Sequence, residues 1–194
     1  MVTERHMDEL IAYILKLGQV DEQGIAHIRE HASYMELPKD GYFSKVAHIP
    51  QQVGFILEGV IRGYYYNAAG EQVTRCFIAE NSLVADYIHF EAGTRSSEYL
   101  QACTPCRLIA FEKKDWEALS HLVEGWDAIK HKMVHLCMYQ KSRKGPVISQ
   151  DATTRYREFM ENYPTLIQRV PLSYIASYLG VTQQSLSRIR RNMQ

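Results

Sequence analysis

Residues 172–191, Leu-Ser-Tyr-Ile-Ala-Ser-Tyr-Leu-Gly-Val-Thr-Gln-Gln-Ser-Leu-Ser-Arg-Ile-Arg-Arg, leave a chain few ways to fold. Ile175, Leu179, Val181, Leu186 and Ile189 are apolar at spacings that close two crossed helices on one core. Small Ala176 stands where the helices would cross. Gly180 falls where the first helix must stop, a position that favours a left-handed backbone. Thr182 can then cap the second helix by accepting a backbone N–H bond. This is a helix-turn-helix pattern, whose second helix enters the DNA major groove. With Thr182 as cap, Leu186 and Ile189 face inward, while Gln183, Gln184, Ser187, Arg188 and Arg191 share the outer face. Glutamine can pair bidentately with adenine, and arginine with guanine O6 and N7. Thr182, Arg190 and the helix N-terminus are placed to position phosphates. The competing reading is a helical pair with no nucleic-acid role.

The charge distribution leans the same way. The 194 residues carry 22 basic and 22 acidic side chains, a net charge of zero. Six basic residues (Arg155, Arg157, Arg169, Arg188, Arg190, Arg191) and three acidic ones (Asp151, Glu158, Glu161) lie from Asp151 onward. A basic end on a neutral chain suits local contact with phosphates, although a solvated helix face would carry the same charges. No apolar run approaches the ~20 residues a membrane helix needs. The N-terminus lacks an apolar signal core, so a cytoplasmic location is expected.

The residues give little support to an enzyme or a metalloprotein. Four cysteines in a chain of this length do not suggest a disulfide framework. Cys103-Thr-Pro-Cys106 is a lone CxxC on an expected strand-to-strand turn, without two further zinc ligands. The pairs His27/His31 and His131/His135 have a spacing that can bind zinc, but no third ligand or carboxylate motif accompanies them. A jelly-roll metalloenzyme would need a His-x-His ligand spacing, which is missing. No glycine-rich phosphate loop, nucleophile elbow or paired-carboxylate signature occurs. No metal and no catalytic activity are therefore expected.

The chain reads as α+β. Asp8–Leu17 and Asp21–Ala32 have amphipathic helical periodicity. From Met35 to Phe111, short β-branched and aromatic runs alternate with turn residues, as in an antiparallel barrel or jelly roll. Tyr64–Tyr66 and Glu71–Ile78 form an expected hairpin with Gly70 in its turn. Residues 114–140 return to helical periodicity. There Leu122, Trp126, Ile129, Met133 and Leu136 step by four and three, ending at polar Gln140. A two-helix dimer seam is the preferred reading of that stripe; a helix packed on its own barrel is the alternative. Lys144-Gly145-Pro146 breaks the helix and marks a hinge within 141–151. A helix over Ala152–Asn162 follows, then an extended link at Leu166–Val170. The expected organisation is a β-roll sensor at 1–113, a long dimerisation helix and hinge at 114–145, and a helix-turn-helix domain at 146–194.

That order resembles the Crp/Fnr family of transcription regulators, most closely in Phe55-Ile-Leu-Glu-Gly59 with its hairpin and from Thr154 through Arg191. The resemblance implies a cyclic-nucleotide-binding-type sensor, a homodimer joined along the long helix, and double-stranded DNA and RNA polymerase as partners. A small-molecule effector is implied as well, with Asp86, Arg95 and Ser96 at the family's phosphate and ribose positions. The match is imperfect there. Asp86 is one methylene shorter than the family's glutamate, and Ala85 replaces its glycine. A gap-free match puts Ser96, not Arg95, at the arginine's place. A cyclic phosphate needs a fixed cation or a helix N-terminus, so a cyclic nucleotide is disfavoured. The family's iron–sulfur members carry an N-terminal cysteine cluster that this sequence lacks. At the place of Arg188 the family commonly has a base-contacting arginine. Its better-known members have Arg-Glu where Gln183 and Gln184 stand, which predicts a different operator. Three residues follow Arg191, so any β-hairpin wing is expected to be reduced or absent. The reading is thus a sequence-specific DNA-binding regulator; the alternative is a small-molecule-binding signalling module whose helix-turn-helix does not bind DNA.

Overall fold

The structure, a computed structural model, describes residues 4–142 and 151–193, with side chains from His6 onward. Among them, helices α1 (Glu4–Leu17) and α2 (Glu22–His31) lead into β1 (Ser33–Leu37), β2 (Tyr42–Ser44), β3 (Gln52–Glu58), β4 (Ile61–Tyr66), β5 (Gln72–Ile78) and β6 (Ser82–Val84). After α3 (Tyr87–Ala92) come β7 (Tyr99–Ala102) and β8 (Cys106–Glu112). Helices α4 (Lys113–Leu122), α5 (Trp126–Ser142), α6 (Ala152–Asn162), α7 (Leu166–Arg169), α8 (Leu172–Leu179) and α9 (Gln183–Asn192) complete the chain. The strands form two antiparallel four-stranded sheets, ordered β1-β8-β3-β6 and β2-β7-β4-β5. The expected α+β jelly roll with a helical C-terminal unit is what the chain adopts.

Strand alternation builds two cores from one sheet. Ile56, Leu108 and Cys106 turn into the roll against Ile61, Cys76, Ile78 and Leu100 of the second sheet. Val53, Phe55, Ile109 and Phe111 turn outward, and α1, α2, α4 and α5 cover them with Leu10, Ile14, Ile28, Trp116 and Trp126. Both faces of β3 and β8 are thus buried. That is why these strands read as near-continuous apolar runs rather than as an alternation. The turn from β3 to β4 needs a glycine: Gly59 has φ +107°, and a Cβ there would fall 2.5 Å from Cys106 Sγ and 2.6 Å from Pro105 O.

Three expectations need correction. The helix read over 114–140 is two helices, because Gly125 (φ +75°) interrupts it and the Trp126 N–H returns to Val123 O at 3.2 Å. The break lets Trp116 of α4 and Trp126 of α5 meet edge to face, ring centroids 5.3 Å apart. Second, the stripe assigned to a dimer seam is turned inward. Trp126, Ile129 and Met133 are essentially inaccessible within this chain's own core, so that face is not free to pair with a second copy. Leu122 and Leu136 are exposed, as are Lys132, His135 and Tyr139 on the outer side of α5. Third, the segment read as an extended link contains the helical turn α7, closed by Val170 N–H to Leu166 O at 3.0 Å, which buries Leu166. The expected hinge at Lys144-Gly145-Pro146 lies outside the described residues. Among the described residues, no helix is long and apolar enough to cross a membrane.

Candidate nucleic-acid interface

The helix-turn-helix is built as its residues dictate. Gly180 ends α8 in the left-handed region (φ +67°, ψ +36°), with its N–H returned to the last turn of the helix. Thr182 caps α9, its hydroxyl accepting the Ser185 N–H at 3.1 Å and donating to Ser185 Oγ at 2.9 Å. Leu186 and Ile175 are fully buried in the shared core, and Ile189 packs against it. The opposite face of α9 is open. Gln183, Gln184, Ser187, Arg188 and Arg191 line one shallow groove, the same five residues that helical spacing puts together. Arg190 is half-buried on its flank.

Two of the six C-terminal arginines are engaged inside the protein. Arg155 Nη1 donates to Leu179 O and so closes the end of α8. Arg169 makes a paired contact with the Glu80 carboxylate, which also accepts the Gly59 N–H at 2.8 Å. Burial pushes the Glu80 carboxyl up, but the Arg169 hydrogen bonds and the backbone donors outweigh it and hold the group below its ordinary value. The exposed arginines are Arg157, Arg188 and Arg191.

The helix-turn-helix is fastened to the roll by more than this pair. Strand β5 lies at a sheet edge, and Ser177 of α8 takes up its free backbone groups. The Ser177 hydroxyl donates to Gln72 O at 2.7 Å and accepts from Thr74 N–H at 2.9 Å. Phe77 of β5 packs against Phe159 and Tyr178. Arg62 of β4, fully buried, lies between two rings, its guanidinium carbon 4.2 Å from the centroid of Tyr64 and 3.4 Å from that of Tyr174. Its Nη2 donates to Gln72 Oε1 at 2.6 Å and Gln101 Oε1 at 2.8 Å. Sequence reasoning missed Glu80 and Arg62, and counted Arg169 only among the basic residues of the C-terminal end. Only Arg62 left a signal, an arginine inside the apolar run Val60-Ile-Arg-Gly-Tyr.

The residues expected to hold an effector separate. Asp86 and Ser96 are buried together, Ser96 Oγ donating to Asp86 Oδ2 at 2.5 Å, with His89 Nδ1 2.9 Å from Asp86 Oδ1. Arg95 is exposed. The carboxylate and hydroxyl placed for a ligand are thus spent on each other. Next to them Glu98, also missed from sequence, binds Lys141 of α5.

The four thiols are buried. Burial pushes Cys76 up to about 11 and Cys103 up to about 12, and raises Cys106 and Cys137 as well. Thiolates, not thiols, are the reactive form. The native protein should therefore leave an aromatic disulfide reagent unreacted while the denatured chain consumes four equivalents; a single fast thiol in the folded state would contradict this. Among the described residues, no group of three or more His, Cys, Asp or Glu could hold a metal ion. His31 Nδ1 instead lies 2.9 Å from His27 O.

No family model and no curated protein matches the sequence. Solved structures do match. FixK2 from Bradyrhizobium japonicum superposes with a TM-score of 0.67 at 13% identity, covering 84% of each chain. The c-di-GMP responsive global regulator CLP of Xanthomonas campestris gives 0.68 at 13%, covering 90% of this chain and 92% of its own. The catabolite activator protein of Thermus thermophilus gives 0.54 at 14%, covering 89% and 83%. The fold of this chain, from the N-terminal helices through the β-roll to the helix-turn-helix, is the fold of the Crp/Fnr transcription regulators.

Proposed function

We propose that the protein is a sequence-specific regulator of transcription that binds double-stranded DNA as a homodimer through α9. The observation that carries this is the outer face of α9. Five polar and basic side chains share one open groove, on a helix whose cap and inner face are fully engaged. Gln183, Gln184 and Arg188 are the base-reading residues, with Ser187 and Arg191 beside them. Arg190, Thr182 and the first turn of α9 position the phosphates, the Thr182 hydroxyl being already committed to its cap. Because Trp126, Ile129 and Met133 are enclosed, a second copy would meet the outer side of α5, where Leu136 and Tyr139 are 41% and 59% exposed. RNA polymerase is a further proposed partner. A cyclic nucleotide is disfavoured as effector, since Asp86 and Ser96 already satisfy each other.

The test begins by selecting bound sites from random DNA. On the selected operator, Arg188→Ala should cost about 1–3 kcal/mol and relax one base pair per half-site. Wild-type affinity should fall steeply with salt, because each neutralised phosphate adds about 0.9 to the logarithmic slope. A flat salt dependence, or unchanged affinity of the variant in a gel-shift titration, would favour a signalling module that does not act on DNA.

A further inference from the structure

The last turn of α5 is pinned inside the roll by an anion that the chain supplies itself. Lys141 and Glu98 form a direct ion pair, their side chains only 11% and 5% exposed. Arg75 of β5 approaches the other carboxylate oxygen at 3.7 Å. The wall opposite is bare backbone: a Cβ on Gly63 would stand 3.7 Å from that same oxygen. Ser96 orders the backbone of Glu98, its hydroxyl oxygen accepting the Glu98 N–H at 3.2 Å and lying 2.8 Å from Glu98 O. The same hydroxyl reaches Asp86, so the ion pair continues into the loop and helix α3. Two further side chains of the final turns are anchored. Gln140 donates to Ser82 Oγ at 3.1 Å, and Cys137 is buried in the core.

The electrostatics agree. Burial pulls the Lys141 ammonium down, but Glu98 outweighs it and leaves the group above its ordinary value. The carboxylate is thus held by two cations from opposite elements, one on the helix and one on the sheet. A small anion bridging roll to helix would need such a seat.

We propose that Glu98 is a built-in anion: clamped between Lys141 and Arg75, it fills the seat from which an anionic effector would tie α5 to the roll, so the helix is held without a diffusible ligand. The seat's chemical class is that of a small carboxylate or phosphate. Ser142 ends α5, and α6 with the helix-turn-helix lies further along the chain, so the pin fixes the helix end nearest the output domain. That consequence for DNA rests on the function proposed above; the pin itself does not.

The test uses the full chain and hydrogen exchange of the amides at 137–142. Glu98→Ala should speed exchange there by about tenfold or more, the loss of one charge-assisted hydrogen bond. Tens of millimolar acetate should restore protection, while chloride at equal ionic strength should not. In E98A/K141M the acetate response should vanish, because the cation on the helix is gone. Glu98→Gln, which keeps shape and packing, covers the case in which the alanine variant does not fold; it should also loosen the turn. Exchange unchanged in Glu98→Gln, or acetate and chloride acting alike on Glu98→Ala, overturns the proposal. So does added protection of the wild-type turn by phosphate or cyclic AMP, which would mean the seat is open. Operator binding by the wild type is measured separately. A wild type that binds no DNA removes the regulator reading and leaves the pin standing.

Discussion

Trp126→Ala should destabilise the protein by about 3–5 kcal/mol, the usual cost of deleting a large enclosed ring. Trp126 is fully enclosed, set edge to face on Trp116 and packed in the core that joins α1, α4 and α5 to β3 and β8. In a chain of this size each kcal/mol moves the melting temperature by about 2–4 °C, so a fall of roughly 10 °C is expected. The experiment also decides between two roles for the stripe on α5. A seam residue, once removed, separates subunits that stay folded. A core residue, once removed, loosens the roll itself. Thermal melting together with sedimentation distinguishes them. Leu136→Glu, on the exposed side of α5, should do the reverse: the melting temperature holds and association weakens. An unchanged melting temperature in Trp126→Ala with loss of the dimer would restore the seam.

Arg62→Ala should have the second large effect, about 3 kcal/mol, concentrated at the junction of roll and helix-turn-helix. Its buried guanidinium donates to Gln72 and Gln101 and is stacked between Tyr64 and Tyr174. Hydrogen bonds from a charged donor contribute about 1.5–3 kcal/mol, and a desolvated cation over a ring about 2 kcal/mol; these overlap rather than add. Arg62→Lys should not rescue, because an ammonium can neither stack flat between two rings nor reproduce the fork. The readout is local. Limited proteolysis should release the C-terminal helices from α6 onward as a separate fragment, and calorimetry should resolve two transitions. Coincident unfolding of both parts in Arg62→Ala would mean that the junction stands on Phe77, Ser177 and the Glu80–Arg169 pair alone.

What the sequence disclosed follows the range of the interactions. The helix-turn-helix was legible because its determinants are local: a left-handed stop at Gly180, a cap at Thr182 and a 3.6-residue period place every side chain of α9. The β4–β5 hairpin was legible for the same reason, with Gly70 at φ +77°. The two buried faces of β3 and β8 were not, since burial on both sides erases the alternation that tells one face from the other. The stripe on α5 was seen correctly as apolar, but periodicity reports that a face is covered and not by what. The ion pairs between elements distant in the chain were invisible. Glu80 and Arg169 are 89 residues apart, and Glu98 and Lys141 are 43 apart, so each is an ordinary surface charge until the chain folds. The pairing of Asp86 with Ser96 was hidden for the same reason. Asp86 and Ser96 have ligand-like chemistry, and only three dimensions show that they answer each other.

The bridge that Ser177 makes across Gln72 and Thr74 has a meaning apart from regulation. A sheet edge with open N–H and C=O groups invites another strand to add to it, and proteins guard such edges. Here a hydroxyl on α8 occupies both groups at once, so the C-terminal helical unit also serves as the guard of the roll. A roll separated from that domain would carry β5 uncovered and would be prone to grow into aggregates through it. One side chain, Ser177, thus both covers the edge of the roll and helps to attach the C-terminal helices to it.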